Sequence, residues 1–222
     1  MTDMRCMSSK ACYMNKMLSK EEYRDGLVKI GKLVFDFARV HRVTYHDDGI
    51  TPESDTDHTV MLSIIACALA DTFYKDELDI GLIAQYAVVH DLVEAYAGDT
   101  DTFGIGDMAR KEKEHREERA LHMIEDQFQA VYPWLPKIIG EYESLHKKEA
   151  RFVKTVDKMM SKITHILNKG VYFKKKRINE EQMLDNYQKM FDKMEGSYAK
   201  EFPLLLSLTK ELINEARIKT YD

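Results

Sequence analysis

The side chains best suited to chemistry in this sequence are His90 and Asp91, which sit side by side in an apolar stretch. Leu82-Ile83-Ala84-Gln85-Tyr86-Ala87-Val88-Val89 precedes them and Leu92-Val93 follows. Two ionisable groups buried among valines and leucines cost several kcal/mol unless a partner compensates them. A divalent cation is such a partner, because it takes a neutral imidazole and a carboxylate together and cancels the carboxylate's charge. Taken alone, the dipeptide reads more simply as a hydrogen-bonded core histidine beside a capping aspartate. His58 and Asp157 change that reading, since each stands in its own apolar run: Asp57-His58-Thr59-Val60-Met61-Leu62 and Phe152-Val153-Lys154-Thr155-Val156-Asp157-Lys158-Met159-Met160.

Two imidazoles and two carboxylates suit Mn, Fe, Co, Ni or Zn better than Mg or Ca, which prefer all-oxygen shells. Four protein ligands also leave water positions on an octahedral ion, as a hydrolase requires. Glu94 lies four residues after His90, on the same face of a helix. It is either a surface carboxylate paired with a lysine or a group that takes a proton from water at the ion. Asp99 follows Gly98, whose bare backbone can approach a ligand closely; it is an ordinary turn residue or a substrate contact. His41, His46, His115, His122, His146 and His165 lie in charged or amphipathic settings and are expected to be mostly exposed or half-buried.

The elements that must position these groups are predicted to be helices throughout. Only four prolines and ten glycines occur in 222 residues, and apolar residues recur at three- and four-residue spacing. Ser19-Lys20-Glu21-Glu22 is a capping-box signature for a helix running to about Arg42. A polar loop from Tyr45 to Asp55 precedes a second helix, and a third spans about Asp79 to Ala97. On that third helix His90 and Asp91 point about 100° apart, so they share an ion only if it lies in the wedge between them. Asp107 caps a charged helix reaching Tyr132, which Pro133-Trp134-Leu135-Pro136 ends. A long helix, straight or bent, follows from about Lys137 to Asn168, stopped by Gly170. Asn179-Glu180-Glu181-Gln182 opens another to about Glu195, and the last covers roughly Ala199 to Lys219. Residues 1–18 are expected to form a flexible extension. Residues 19–222 are expected to form one domain, with the metal-site core at about 20–170.

Composition narrows the function classes. A net charge of -5 argues against a dedicated nucleic-acid binder. The apolar runs are too short to span a bilayer, and no basic-then-apolar leader opens the sequence. Cys6, Cys12 and Cys67 complete no disulfide framework. A cytoplasmic enzyme is the expectation. Lys174-Lys175-Lys176-Arg177 is solvated surface or a phosphate-steering patch.

Taken in order, Asp57-His58, His90-Asp91, Glu94, Gly98-Asp99 and Asp157 make the chain resemble the HD-domain phosphohydrolases, specifically their 5′-deoxynucleotidase branch. Arg39-Val40-His41-Arg42, Pro52-Glu53-Ser54, the segment from Lys111 to Glu118 and Glu149-Ala150-Arg151-Phe152-Val153-Lys154 are also similar to that branch. The resemblance implies an all-α, HD-type helical bundle with extra C-terminal helices. It implies one divalent transition metal (Mn, Co, Fe, Ni or Zn) on His58, His90, Asp91 and Asp157. Glu94 and Asp99 become the catalytic carboxylates, Asp99 also meeting the nucleotide sugar. Arg42 meets the substrate phosphate, with Arg39 a nearby candidate and Lys154 a further substrate contact. Where that branch commonly has tryptophan after the arginine, this chain has Val43-Thr44-Tyr45, so Tyr45 is the residue that could stack on base or sugar.

The implied reaction is release of phosphate from deoxynucleoside monophosphates. The alternative is a triphosphohydrolase that cleaves deoxynucleoside triphosphates at the α-phosphate, with Lys111, Lys113, Arg116, Lys154 and Lys158 as cations for the extra phosphates. A third reading is a non-catalytic helical binding protein with a structural metal, which would need neither Glu94 nor Asp99. The expected partner is thus a nucleotide, with no nucleic acid or membrane, and the amphipathic C-terminal helices offer a homodimer surface.

Overall fold

Ser19 starts the first helix as its signature predicts: its hydroxyl accepts the Glu22 N–H and the Glu22 carboxylate accepts the Ser19 N–H. In the computed structural model, which describes residues 18–222, α1 (Lys20–Phe37) leads into a hairpin of β1 (His41–Tyr45) and β2 (Pro52–Ser54). Then come α2 (Asp55–Phe73), α3 (Ile80–Val89), α4 (Glu94–Ala97), α5 (Asp107–Phe128), α6 (Trp134–Glu143) and α7 (Lys148–Leu167). The chain closes with α8 (Val171–Lys176), α9 (Glu180–Ser197) and α10 (Pro203–Tyr221). The all-α class holds. The expected extension at 1–18, with Cys6 and Cys12, lies almost wholly outside the described residues. Among the described residues no helix is long and apolar enough to cross a membrane.

The departures from the sequence-based expectation cluster around the functional residues. The first helix ends at Phe37, not near Arg42, and residues 41–45 pair antiparallel with 52–54, His41 opposite Ser54 and Tyr45 opposite Pro52. Asp48 makes the connecting turn by accepting the Ile50 and Thr51 N–H groups, and Gly49 adopts a φ of 68° there. The helix expected over 79–97 breaks after Val89, and its last turn re-forms as α4. The long helix expected over 137–168 is two, α6 and α7, with Leu145 in the left-handed region at the corner. The charged helix opens at Asp107 with Gly106 as its cap residue, and it ends at Phe128.

The core forms where α7 crosses α2, α3, α6 and α10. Leu62, Ala66, Ile83, Tyr86, Ile139, Tyr142, Phe152, Val156, Met160 and Leu205 are fully buried there. Each large side chain of this kind contributes about 1.5–3 kcal/mol, enough to hold the polar groups that α7 carries into the same interior. The C-terminal helices build a second cluster of Tyr172, Phe173, Met183 and Tyr187, with Phe103 packed on it. The Tyr172 hydroxyl donates to the Asp101 carboxylate at 2.9 Å, and the Gly104 N–H to Asn186 Oδ1 at 3.2 Å. These contacts pin the loop that begins at Asp99.

His165 corrects the expectation of an exposed or half-buried residue: it is 4% exposed, on α7. Burial and the neighbouring Lys162 hold its imidazole pKa down to about 3. Lys162 is 2% exposed; its ammonium donates to the Lys158 carbonyl at 2.7 Å and faces the Tyr187 ring at 4.4 Å. Burial, aided by Lys158, brings its pKa down to about 7. An unfolded lysine keeps its proton to about pH 10.4. Between the two values the unfolded chain binds more protons, so this lysine makes stability rise with pH. K162M is therefore expected to raise stability near neutral pH by on the order of 1 kcal/mol, about 2–4 °C in Tm for a chain of this size. The variant should also flatten the rise between about pH 7 and 10; thermal melts across that range measure both, and a lower Tm would show that the ammonium contributes net stability.

Candidate metal centre

Each ligand candidate is delivered by a local feature of the chain. Ser54, the last residue of β2, caps α2: its hydroxyl accepts the Asp57 N–H and Asp57 Oδ2 accepts the Ser54 N–H. That fixes the first turn of α2 and brings His58 into the interior. His90 is the residue that closes α3, Asp91 stands in the turn after it, and Asp157 lies midway along α7. The break after Val89 therefore replaces the helical wedge expected for His90 and Asp91. Both side chains project from a turn between two short helices.

The structure brings His58, His90, Asp91 and Asp157 together, with one ligand atom from each lying within 4.8 Å of the others. His58 Nε2 is 3.2 Å from Asp157 Oδ1 and 3.9 Å from Asp91 Oδ2. His90 Nδ1 donates to the Ala87 carbonyl at 2.8 Å, which turns Nε2 into the cluster with its lone pair. Nε2 lies 2.9 Å from Asp91 Oδ2, but off the direction of a hydrogen bond, and this buried nitrogen has no hydrogen-bond partner. A buried, unsatisfied imidazole nitrogen facing two carboxylates and a second imidazole fits a divalent ion by donor type and by geometry.

The charges around the cluster agree with that fit. Burial alone would raise the Asp91 carboxyl, but its charged neighbours, the Arg42 guanidinium among them, hold it well below the usual carboxylate range. Burial likewise opposes ionisation of Asp157, and Lys158, 2.7 Å away, with His58, outweighs it. Both carboxylates are thus ionised as ligands must be. Burial opposes protonation of His58, yet Asp157 and Glu53 raise its pKa to about 9.

Glu94 opens α4 and is 2% exposed. Lys113 donates to its Oε1 at 3.1 Å, while its Oε2 is buried without a partner. Burial first, and then the Asp91 charge, push the carboxyl up to about 9 against the pull of Lys113. Asp99 follows Gly98, which takes a φ of 73° and donates its N–H to the Glu94 carbonyl. Burial raises the Asp99 carboxyl against Arg42, so it faces the same group of charges. Arg42 reaches Asp91 Oδ2 at 3.1 Å and Asp55 Oδ1 at 3.3 Å. Lys154 lies over the Tyr142 ring at 5.5 Å, and the charges of Asp157, Glu143 and Asp91 raise its pKa despite burial.

Other candidates stand apart. Arg39 is exposed and pairs with Asp36 at 3.1 Å, away from the cluster. The Tyr45 ring is capped by the Lys175 ammonium at 3.6 Å. Lys111 is exposed, and Arg116 donates to Thr100 Oγ1. Thr44 and Asp55 join the site without a sequence signal having marked them. Asp55 is fully buried beneath Arg42, where burial lifts its carboxyl to about 6. The alternation of Arg42 with Thr44 is the period-2 sign of a strand, and Asp55 is the first residue of α2, directly after β2. Without a hairpin at these residues it has no meaning.

His90→Ala or Asp157→Ala should abolish most divalent-metal binding while leaving the helical spectrum intact, as elemental analysis and circular dichroism would report. Because His58 holds a proton up to about pH 9, metal binding near neutral pH expels it. Affinity should then rise about tenfold per pH unit from pH 6 toward 9, and calorimetry in buffers of different ionisation enthalpy counts the released proton. A pH-independent affinity would contradict this protonation of His58.

No curated protein matches the sequence significantly. A structure from Magnetospirillum magnetotacticum MS-1, described as a predicted metal-dependent phosphohydrolase, is similar with a TM-score of 0.68 and 21% identity, covering 90% of this chain and 100% of that one. A conserved hypothetical protein from Pyrococcus furiosus gives 0.56 and 23%, covering 86% and 99%. A Pyrococcus horikoshii OT3 protein gives 0.55 and 23%, covering 83% and 99%. At these identities the neighbours show a shared fold. The family model described as HD domain matches residues 37–197, a span that contains all four converging ligands. The chain belongs to the HD domain family.

Proposed function

We propose that this protein is a metal-dependent phosphohydrolase that releases phosphate from deoxynucleoside monophosphates. The observation that carries the proposal is the pairing of four convergent ligand atoms with a buried carboxyl, Glu94, whose second oxygen has no partner. A purely structural metal site needs no such group. The Magnetospirillum neighbour described as a predicted metal-dependent phosphohydrolase supports the reaction class, and the resemblance to the 5′-deoxynucleotidase branch supports the substrate.

A divalent ion held by His58, His90, Asp91 and Asp157 would supply Lewis acidity and lower the pKa of water. The residues around it supply the rest. Arg42 offsets charge growing on the phosphoryl oxygens. Burial and Asp91 favour the protonated form of Glu94, the form that gives a proton to a departing 5′ oxygen. A cation beside Asp91 opposes that shift and brings the carboxyl toward the range in which it also accepts a proton from water. Asp99, on a loop anchored by Tyr172 and Asn186, would meet the sugar, and Lys154 adds positive charge that acts on Asp157.

The disposition of the other cations favours a monophosphate over a triphosphate. Lys113 is committed to Glu94 and Glu117, Arg116 to Thr100, and Lys111 is exposed. A panel of deoxynucleotides with Mn, Co or Ni should show phosphate released from dAMP and its analogues. Triphosphate released from dATP would support the triphosphohydrolase instead, and no turnover of any nucleotide would favour the structural-metal reading. Glu94→Ala should retain metal and lose about 10²–10⁴-fold in kcat; full activity would remove Glu94 from the mechanism.

A further inference from the structure

The structure assigns Glu53 as a positioning residue that accepts the Nδ1–H of His58 and so turns that ring's unprotonated Nε2 toward the metal. Glu53 is 4% exposed, on β2, and its two oxygens have different surroundings. Oε2 accepts the hydroxyl proton of Thr44, on the partner strand β1. Oε1 is buried without a hydrogen-bond partner and lies 3.6 Å from His58 Nδ1, on the side of the ring opposite Asp157 and Asp91. The carboxylate is anchored through its other oxygen, and the His58 ring N–H is a donor within reach of this unsatisfied one. A small rotation of either side chain closes the gap to hydrogen-bond length.

The chemistry of metal-bound histidine gives this contact its meaning. An imidazole that ligates through one nitrogen donates its other N–H to an outer acceptor, which fixes the tautomer and the ring plane and raises ligand basicity. His90 has such an acceptor in the Ala87 carbonyl. His58 has no backbone carbonyl in that role, and Glu53 supplies it. The hairpin in this helical domain is thereby accounted for. From β1 come Arg42 and Thr44, from β2 comes Glu53, and the alternation of the strand carries all three to the same side as His58.

The inference rests on the metal centre described above, and its test separates the two. Zinc alone is titrated into the apo protein against a competing chelator, for the wild type and for E53A, E53Q and T44V, with circular dichroism and thermal melts as the check on folding. E53A is expected to weaken zinc binding about 10–100-fold, and T44V to weaken it less. E53Q, whose amide oxygen still accepts the N–H, should recover most of the loss. In the zinc-loaded wild type, long-range ¹⁵N–¹H NMR should place the His58 proton on Nδ1, with Nε2 carrying the shift of a metal ligand. Unchanged zinc affinity in a folded E53A, or zinc on Nδ1 with the proton on Nε2, overturns the role of Glu53 and leaves the metal centre standing. A wild type that binds no zinc at all overturns both.

Discussion

Asp91 and Asp157 reach the same small interior region from different parts of the chain, and like charges this close repel strongly in a medium of low dielectric. The fold tolerates them because cationic or proton-donating groups face them: Arg42 on Asp91, Lys158 on Asp157, and the His58 ring toward Asp157. Even so, His90 Nε2 is left buried with no hydrogen bond. A structure that only needed to satisfy its carboxylates would have no reason to aim an imidazole lone pair at them. The need to gather anionic and neutral donors at one point explains the arrangement, and most of the irregular features of the fold follow from it.

Those irregularities are concentrated where ligands are presented. α3 stops one residue before His90, so that His90 and Asp91 leave from a turn and point at the same place. A hairpin interrupts the run of helices where Arg42, Thr44 and Glu53 are required, and its last residue caps the helix that holds Asp55 and His58. Glu94 begins a helix of a single turn, and Gly98 ends it in a conformation that favours glycine. The C-terminal helices, which hold no candidate ligand, nonetheless support the site by fixing the loop from Asp99 to Gly104 through Tyr172 and Asn186.

How much of this is legible in the sequence depends on whether a residue's local surroundings betray its role. His58, His90, Asp91 and Asp157 stand out because each is an ionisable residue in an apolar run. Ser19 and Asn179 form the capping boxes their signatures predict, and Ser54 adds one with an aspartate, Asp57, as its third neighbour. The hairpin is not legible: β1 is five residues and β2 three, too short for alternation to outweigh the helical pattern before them. Thr44 is hidden for the same reason, since only strand pairing brings it against Glu53, and Asp55 opens α2 directly after the hairpin. The burial of His165, and of Lys162 beside it on α7, is not legible because the local sequence there is amphipathic and lysine-rich. Packing against α8 and α9, decided by distant sequence, buries them.

Four side chains from separate segments hold one divalent ion in this reading of the site. A crystal structure of the zinc-loaded protein, with anomalous data collected at the zinc edge, tests it directly. A single strong peak is expected about 2.0–2.2 Å from Nε2 of His58 and His90 and from carboxylate oxygens of Asp91 and Asp157. Zinc at another location, or these four side chains bonded only to one another with no ion among them, would contradict it.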